Sequence, residues 1–169
     1  SLSFTYAENR DLKLENLFGK LKIENSNFAF EIEQKIWKIW STHPSNNELT
    51  NMLNVGSNLV NNNQLSKAVE IFSDVILQDP NWAEAWNKRA TVLYMMGKFE
   101  QSQNDIDKVL ELEERHFGAL AGQGLVNIQL KNYEKAIRSY EKAMTIYPSM
   151  NSAELMIRKI RDLINKESI

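Results

Sequence analysis

A small residue returns every 34 residues through the middle of this chain, at Ala68, Ser102 and Ala136, each three positions after an apolar Leu65, Phe99 or Tyr133. Pro80, Glu114 and Pro148 keep the same step. A period of that length marks one recurring supersecondary unit, whose copies stack to bury faces that no single copy can cover. Apolar residues after the small one fall three and four apart: Val69, Phe72, Val75 and Ile76; Ile106, Val109 and Leu110; Ile137, Tyr140, Ala143 and Met144. That spacing is a helical stripe. The unit therefore holds two antiparallel helices of about 14 residues joined by short turns. The small residue lets the paired helices approach without overpacking. Asn63 and Gly97 end the first helices of their units and tolerate the left-handed cap conformation. Lys131 holds that place in the third unit and suits it less, so Asn132 beside it is expected to take the role. Asp79-Pro80-Asn81 stops one helix and starts the next.

Aligned on this step, the first unit carries Met52, Val55, Gly56, Leu59, Ala68, Phe72, Val75 and Pro80. The second carries Trp86, Arg89, Ala90, Leu93, Ser102, Ile106, Val109 and Glu114, and the third Leu120, Gln123, Gly124, Asn127, Ala136, Tyr140, Ala143 and Pro148. The pattern resembles the tetratricopeptide repeat (TPR) family, and within it stand-alone bacterial TPR proteins. The family motif is Trp, Leu, Gly, Tyr, Ala, Phe, Ala and Pro. The resemblance implies an all-α, right-handed superhelical array of antiparallel helix pairs, a TPR solenoid closed by a C-terminal capping helix. Arg89 and Gln123 stand where the family has an apolar residue, and Asn127 where it has an aromatic one. Those helices are expected to be slightly rotated or their contacts wetter. Glu114 in place of proline is expected to loosen one turn.

The repeats are assigned to 49–82, 83–116 and 117–150. Residues 13–46 read as a degenerate helix pair in the same frame, with Leu14, Leu17, Leu21 and Ile23 on one helix and Ile32, Ile36, Trp37, Ile39 and Trp40 on the other. Residues 151–169 form the cap, with Leu155, Met156, Ile160 and Leu163 covering the open end. In residues 1–12, Thr5 and Ala7 resemble the end of a secretory signal peptide, which would place the protein in the periplasm or export it. A tag remnant reads equally well and leaves the protein cytoplasmic.

Twenty basic and 22 acidic residues, mixed along the chain, give a formal net charge of -2, which argues against a nucleic-acid binder. No stretch approaches the ~18 apolar residues of a membrane span. Cysteine is absent, which removes disulfides and thiol chemistry. There is no paired-histidine zinc motif, phosphate loop or nucleophile elbow. We therefore expect no enzyme, cofactor or metal. Glu113, Glu114 and His116 adjoin one another but read as a solvated turn, and Asp105 and Asp107 as a solvated helix face. Trp37, Trp40 and Trp86 read as packing, and Trp82 at a helix start as a residue with some access to ligand.

The family resemblance places the working surface on the first helices of the repeats. It assigns Asn54, Ser57 and Asn61 to a concave groove, with Glu84, Asn87, Lys88, Thr91 and Tyr94 from the second unit and Ala121, Gly122 and Leu125 from the third. Asparagine and lysine suit a peptide backbone, and the gap over Ala121 and Gly122 suits a bulky side chain. The expected partner is a protein or peptide. The clamp that binds acidic chaperone tails is not met, because Leu53, Gly118 and Gly122 occupy places that need polar or basic residues. A second reading is a structural array that self-associates through its ends, as a weak homo-oligomer.

Overall fold

The computed structural model describes residues 2–23 and 26–168. Ser1, in the stretch compared with a signal peptide, and Ile169, at the end of the cap, lie outside them. The described residues form helices α1 (Leu2–Ile23), α2 (Ser26–Trp40), α3 (Asn47–Asn61), α4 (Leu65–Gln78), α5 (Ala83–Met95), α6 (Phe99–Leu112), α7 (Phe117–Gln129), α8 (Tyr133–Ile146) and α9 (Asn151–Glu167), with no strand among them. The pairs α3–α4, α5–α6 and α7–α8 each pack internally and onto the next pair, and α9 packs on α8. The repeat explains how the pairs close. Gly56 faces the Phe72 ring and Gly124 the Tyr140 ring so closely that a Cβ on either would come within 2.3 or 2.2 Å of ring carbon. Between them Ala90 packs with Ile106, so a larger first-helix residue goes with a smaller second-helix one. Ser102 replaces alanine at no cost in buried polarity, because its Oγ donates to the Ala90 carbonyl at 2.7 Å.

Turns within the repeats use the left-handed conformation at Asn63 (φ 58°), Gly97 (φ 75°) and Lys131 (φ 59°). Lys131 takes this strain itself, correcting the expectation that Asn132 would; Asn132 instead precedes α8 with φ -88°. The Glu114 turn is not loosened either. His116 N–H donates to the Glu113 carbonyl just as Trp82 N–H donates to Asp79 in the Pro80 turn.

The N-terminal pair departs from the repeat frame. Helix α1 begins at Leu2 rather than near Lys13. Leu14, Phe18, Leu21, Ile32, Ile36 and Trp40 share a core with Phe117, Leu120, Ala143 and Tyr147 of α7, α8 and the turn that follows. The pair thus lies along the edge formed by the turns between repeats, not on the outer face of α3–α4 as a preceding unit would. The reason is a row of residues one repeat apart. Trp82, His116 and Met150 all meet this pair: the Trp82 indole N–H donates to the Trp40 carbonyl at 2.9 Å, His116 stacks on Trp40, and Met150 packs on the shared core.

Candidate functional site

Helices α3, α5 and α7 lie side by side and form one face of the array. Between α5 and α7 is a recess of about 60 Å³ lined by Asn87, Ala90, Thr91, Tyr94, Ser102, Ile106, Gly118, Gly122 and Leu125. Five residues expected in a groove (Asn87, Thr91, Tyr94, Gly122 and Leu125) are therefore brought together. Gly122 makes room for the recess: a Cβ there would meet only Ile106 Cδ1, at 3.7 Å. Gly118 is different, because Trp37 of α2 fills the space a Cβ would need. Asn54 and Asn61 are exposed and Ser57 half-buried on α3, outside the recess; Lys88 is half-buried beside Asn87. Ala121 turns the other way and packs with the Tyr140 and Ile157 core under α9.

Glu84 is not a groove residue. It is 1% exposed, and its two oxygens accept from Asn87 Nδ2 at 3.1 Å and meet His116 Nε2 at 3.0 Å. His116 is fully buried, which corrects its reading as part of a solvated turn. Its Nδ1 accepts from the Ala119 N–H at 3.0 Å as an N-cap, so the ring proton sits on Nε2 and points at Glu84. Its face stacks on Trp40 at 4.0 Å and 11°. Both ring nitrogens are thereby engaged, and Glu113 pairs with Arg115 at 2.8 Å. His43 repeats the arrangement: Nδ1 accepts from the Ser45 and Asn46 N–H groups, and Nε2 meets Asp79 at 2.6 Å. Trp82 is buried against His43 rather than open to a ligand. The sequence did carry a signal for His116. It is a polar residue at a place that holds Trp82 and Met150 in the neighbouring units.

The polar motif departures have partners. Arg89 forms a two-pronged pair with Asp105, both bonds 2.8 Å, and donates to Ser73 Oγ at 3.1 Å. Asp105 is therefore buried, not on a solvated face. One repeat later the equivalent pair is Gln123 and Ser139, joined at 2.7 Å. Gln103 links Gln123 to the buried Asn127. Contacts there are more polar than the motif predicts, and satisfied within the protein. Below Gly124, burial pushes the Tyr140 phenol far above its usual range, with a smaller push from Tyr94.

Residues 83–116 and 117–150 each match a family model described as tetratricopeptide repeat. Residues 83–150 are two tetratricopeptide repeats, and the chain has the TPR solenoid fold. The chain is 28% identical over 151 residues to a TPR repeat-containing protein of Rhizobium etli, covering 89% of this chain and 74% of that one. It is 27% identical over 115 residues to Hsp70-Hsp90 organizing protein 1 of Glycine max, covering 67% of this chain but only 20% of that protein. Among solved structures it is similar to the first TPR of Spaghetti (RPAP3) bound to an HSP90 peptide, with a TM-score of 0.67 at 19% identity over 69% of this chain and 93% of that one. The Sgt2 TPR domain of Aspergillus fumigatus gives 0.67 at 16% identity over 72% and 82%. At these identities the structural likeness speaks to the TPR fold. Among the described residues, no helix is long and apolar enough to cross a membrane.

Proposed function

We propose that the protein is a non-catalytic interaction scaffold that takes a peptide or an extended protein segment on the face formed by α3, α5 and α7. The observation that carries this reading is the recess over Gly122, with Thr91, Asn87 and Tyr94 at its margin and Leu125 and Ile106 as apolar lining. A concave apolar pocket with a few convergent polar groups is what a side-chain anchor needs. Support also comes from the solved first TPR of Spaghetti (RPAP3), which is bound to an HSP90 peptide, and from the similarity to a chaperone-organizing protein. The pattern at Leu53, Gly118 and Gly122 argues that the preferred peptide here is not an acidic chaperone tail.

Gly122→Leu tests the reading cleanly. It fills the recess from within, and replacing a helical glycine should raise stability by about 0.5–1 kcal/mol. Asn87 is a poorer probe, because it also holds Glu84. Partners captured by the wild-type chain should be lost by the Gly122→Leu chain at unchanged or higher melting temperature. Capture of the same partners by both chains moves the working surface elsewhere.

A further inference from the structure

We propose a second docking site, separate from the recess over Gly122: the seam between α1 and α2 binds an acidic peptide segment that carries an apolar side chain. Two recesses of about 200 and 370 Å³ lie on this seam. They share Lys13, Lys38 and Ile39 and so form one groove. Its walls are Lys13, Lys20, Lys35 and Lys38, all exposed, and its floor is Leu17 and Ile39, half-buried against the core below. Among the described residues, no carboxylate lines either recess. Among the described residues, none of the four ammonium groups has a carboxylate partner. The acids of the same helices, Glu8, Asp11, Glu15, Glu31 and Glu33, lie outside the groove walls. In a chain with a net charge of -2, this is a local field of the opposite sign.

Charge complementarity selects an anionic occupant, and shape selects its class. Lys13 and Lys20 stand two helical turns apart, about 10 Å. That spans roughly three residues of extended chain. A short acidic run would set carboxylates among the lysines, with an apolar side chain of the same segment on Leu17 and Ile39. A bilayer surface would meet the lysine tips but could not reach a floor recessed between two helices.

The test uses the full isotope-labelled chain and a capped pentapeptide alternating glutamate and leucine, followed by amide chemical shifts. Expected shifts fall on α1 and α2, around Lys13, Leu17, Lys35 and Ile39. Affinity should fall about tenfold in the Lys13→Glu, Lys38→Glu chain, and should weaken as salt rises. The Lys13→Gln, Lys38→Gln chain should show an intermediate loss, and the Gly122→Leu chain none, which separates this site from the recess. A circular dichroism melt confirms that each variant is folded. The proposal is overturned if millimolar peptide leaves α1 and α2 unmoved, if shifts fall only on α5 and α7, or if a glutamine–leucine peptide binds equally well. It is also overturned if vesicles with anionic phosphatidylglycerol bind through these lysines while the peptide does not.

Discussion

The two edges of the array are made by the same repeat and held in opposite ways. Along one edge run the turns within repeats, where Asn63, Gly97 and Lys131 are exposed and share a left-handed backbone. What that edge requires is an angle, and any residue that tolerates the angle will serve. Along the other run the turns between repeats, where Trp82 and His116 are buried and Met150 half-buried under α1–α2. What that edge requires is particular side chains, three different ones at one motif place. The repeat's own rules build the array, and contacts outside those rules lock the N-terminal pair across it. The difference also bears on the α5–α7 recess. With the array braced along one edge, Gly122 and Thr91 need not fill the space in front of them.

Trp40→Ala should break the buried edge most severely. The indole meets Phe18, Trp37, His116 and Phe117, with ring centroids 4.0–5.7 Å apart. Truncating so central a ring costs about 4 kcal/mol, within the range seen for large aromatics. Urea denaturation measures it. Trp40→Phe should lose much less, because the indole N–H has no hydrogen-bond partner among the described residues and its removal leaves nothing unmade. A loss under about 1 kcal/mol for Trp40→Ala would mean that the pair is laid on the edge rather than built into it.

His116→Ala is expected to cost somewhat less, about 3 kcal/mol. It strips one of two donors from a buried Glu84 carboxylate, removes the cap on Ala119 N–H and opens a gap against Trp40. The contribution of the pair is read from a double-mutant cycle. Combining His116→Ala with Glu84→Ala should cost at least about 1 kcal/mol less than the two losses summed. Additive losses would show that His116 acts by packing alone.

How far the sequence foretold these features follows the same division. The helix pairs and their closure were legible, because the period, the stripes and the small residue at Ala68, Ser102 and Ala136 are local and repeated. The position of α1–α2 was not. Leu14, Leu21, Ile36 and Trp40 announce two amphipathic helices, but nothing local says that their partners are Phe117 and Tyr147 rather than α3. The groove was legible in part: Thr91, Tyr94, Gly122 and Leu125 line one recess, whereas Glu84 was drawn inward by His116 and Ala121 by the core under α9. Asp105 was misread for a related reason. A carboxylate looks solvated until its cation, Arg89, is recognised 16 residues earlier on the facing helix.

The smallest effect, of opposite sign, belongs to the exposed edge. Lys131 holds φ 59° in a place where Gly97 holds φ 75°, and its Cβ pays the steric cost of a left-handed residue, about 1–2 kcal/mol. Lys131→Gly relieves that cost but loses more freedom on folding, so the net gain should be about 0.5–1 kcal/mol. Lys131→Asn, copying Asn63, should gain less, and Lys131→Ala nothing, since alanine carries the same Cβ into the same angle. A thermal melt of the three variants checks the order. If alanine gains as much as glycine, then the lysine side chain rather than the backbone angle is the source of the strain, and the exposed edge depends on side-chain identity as the buried one does.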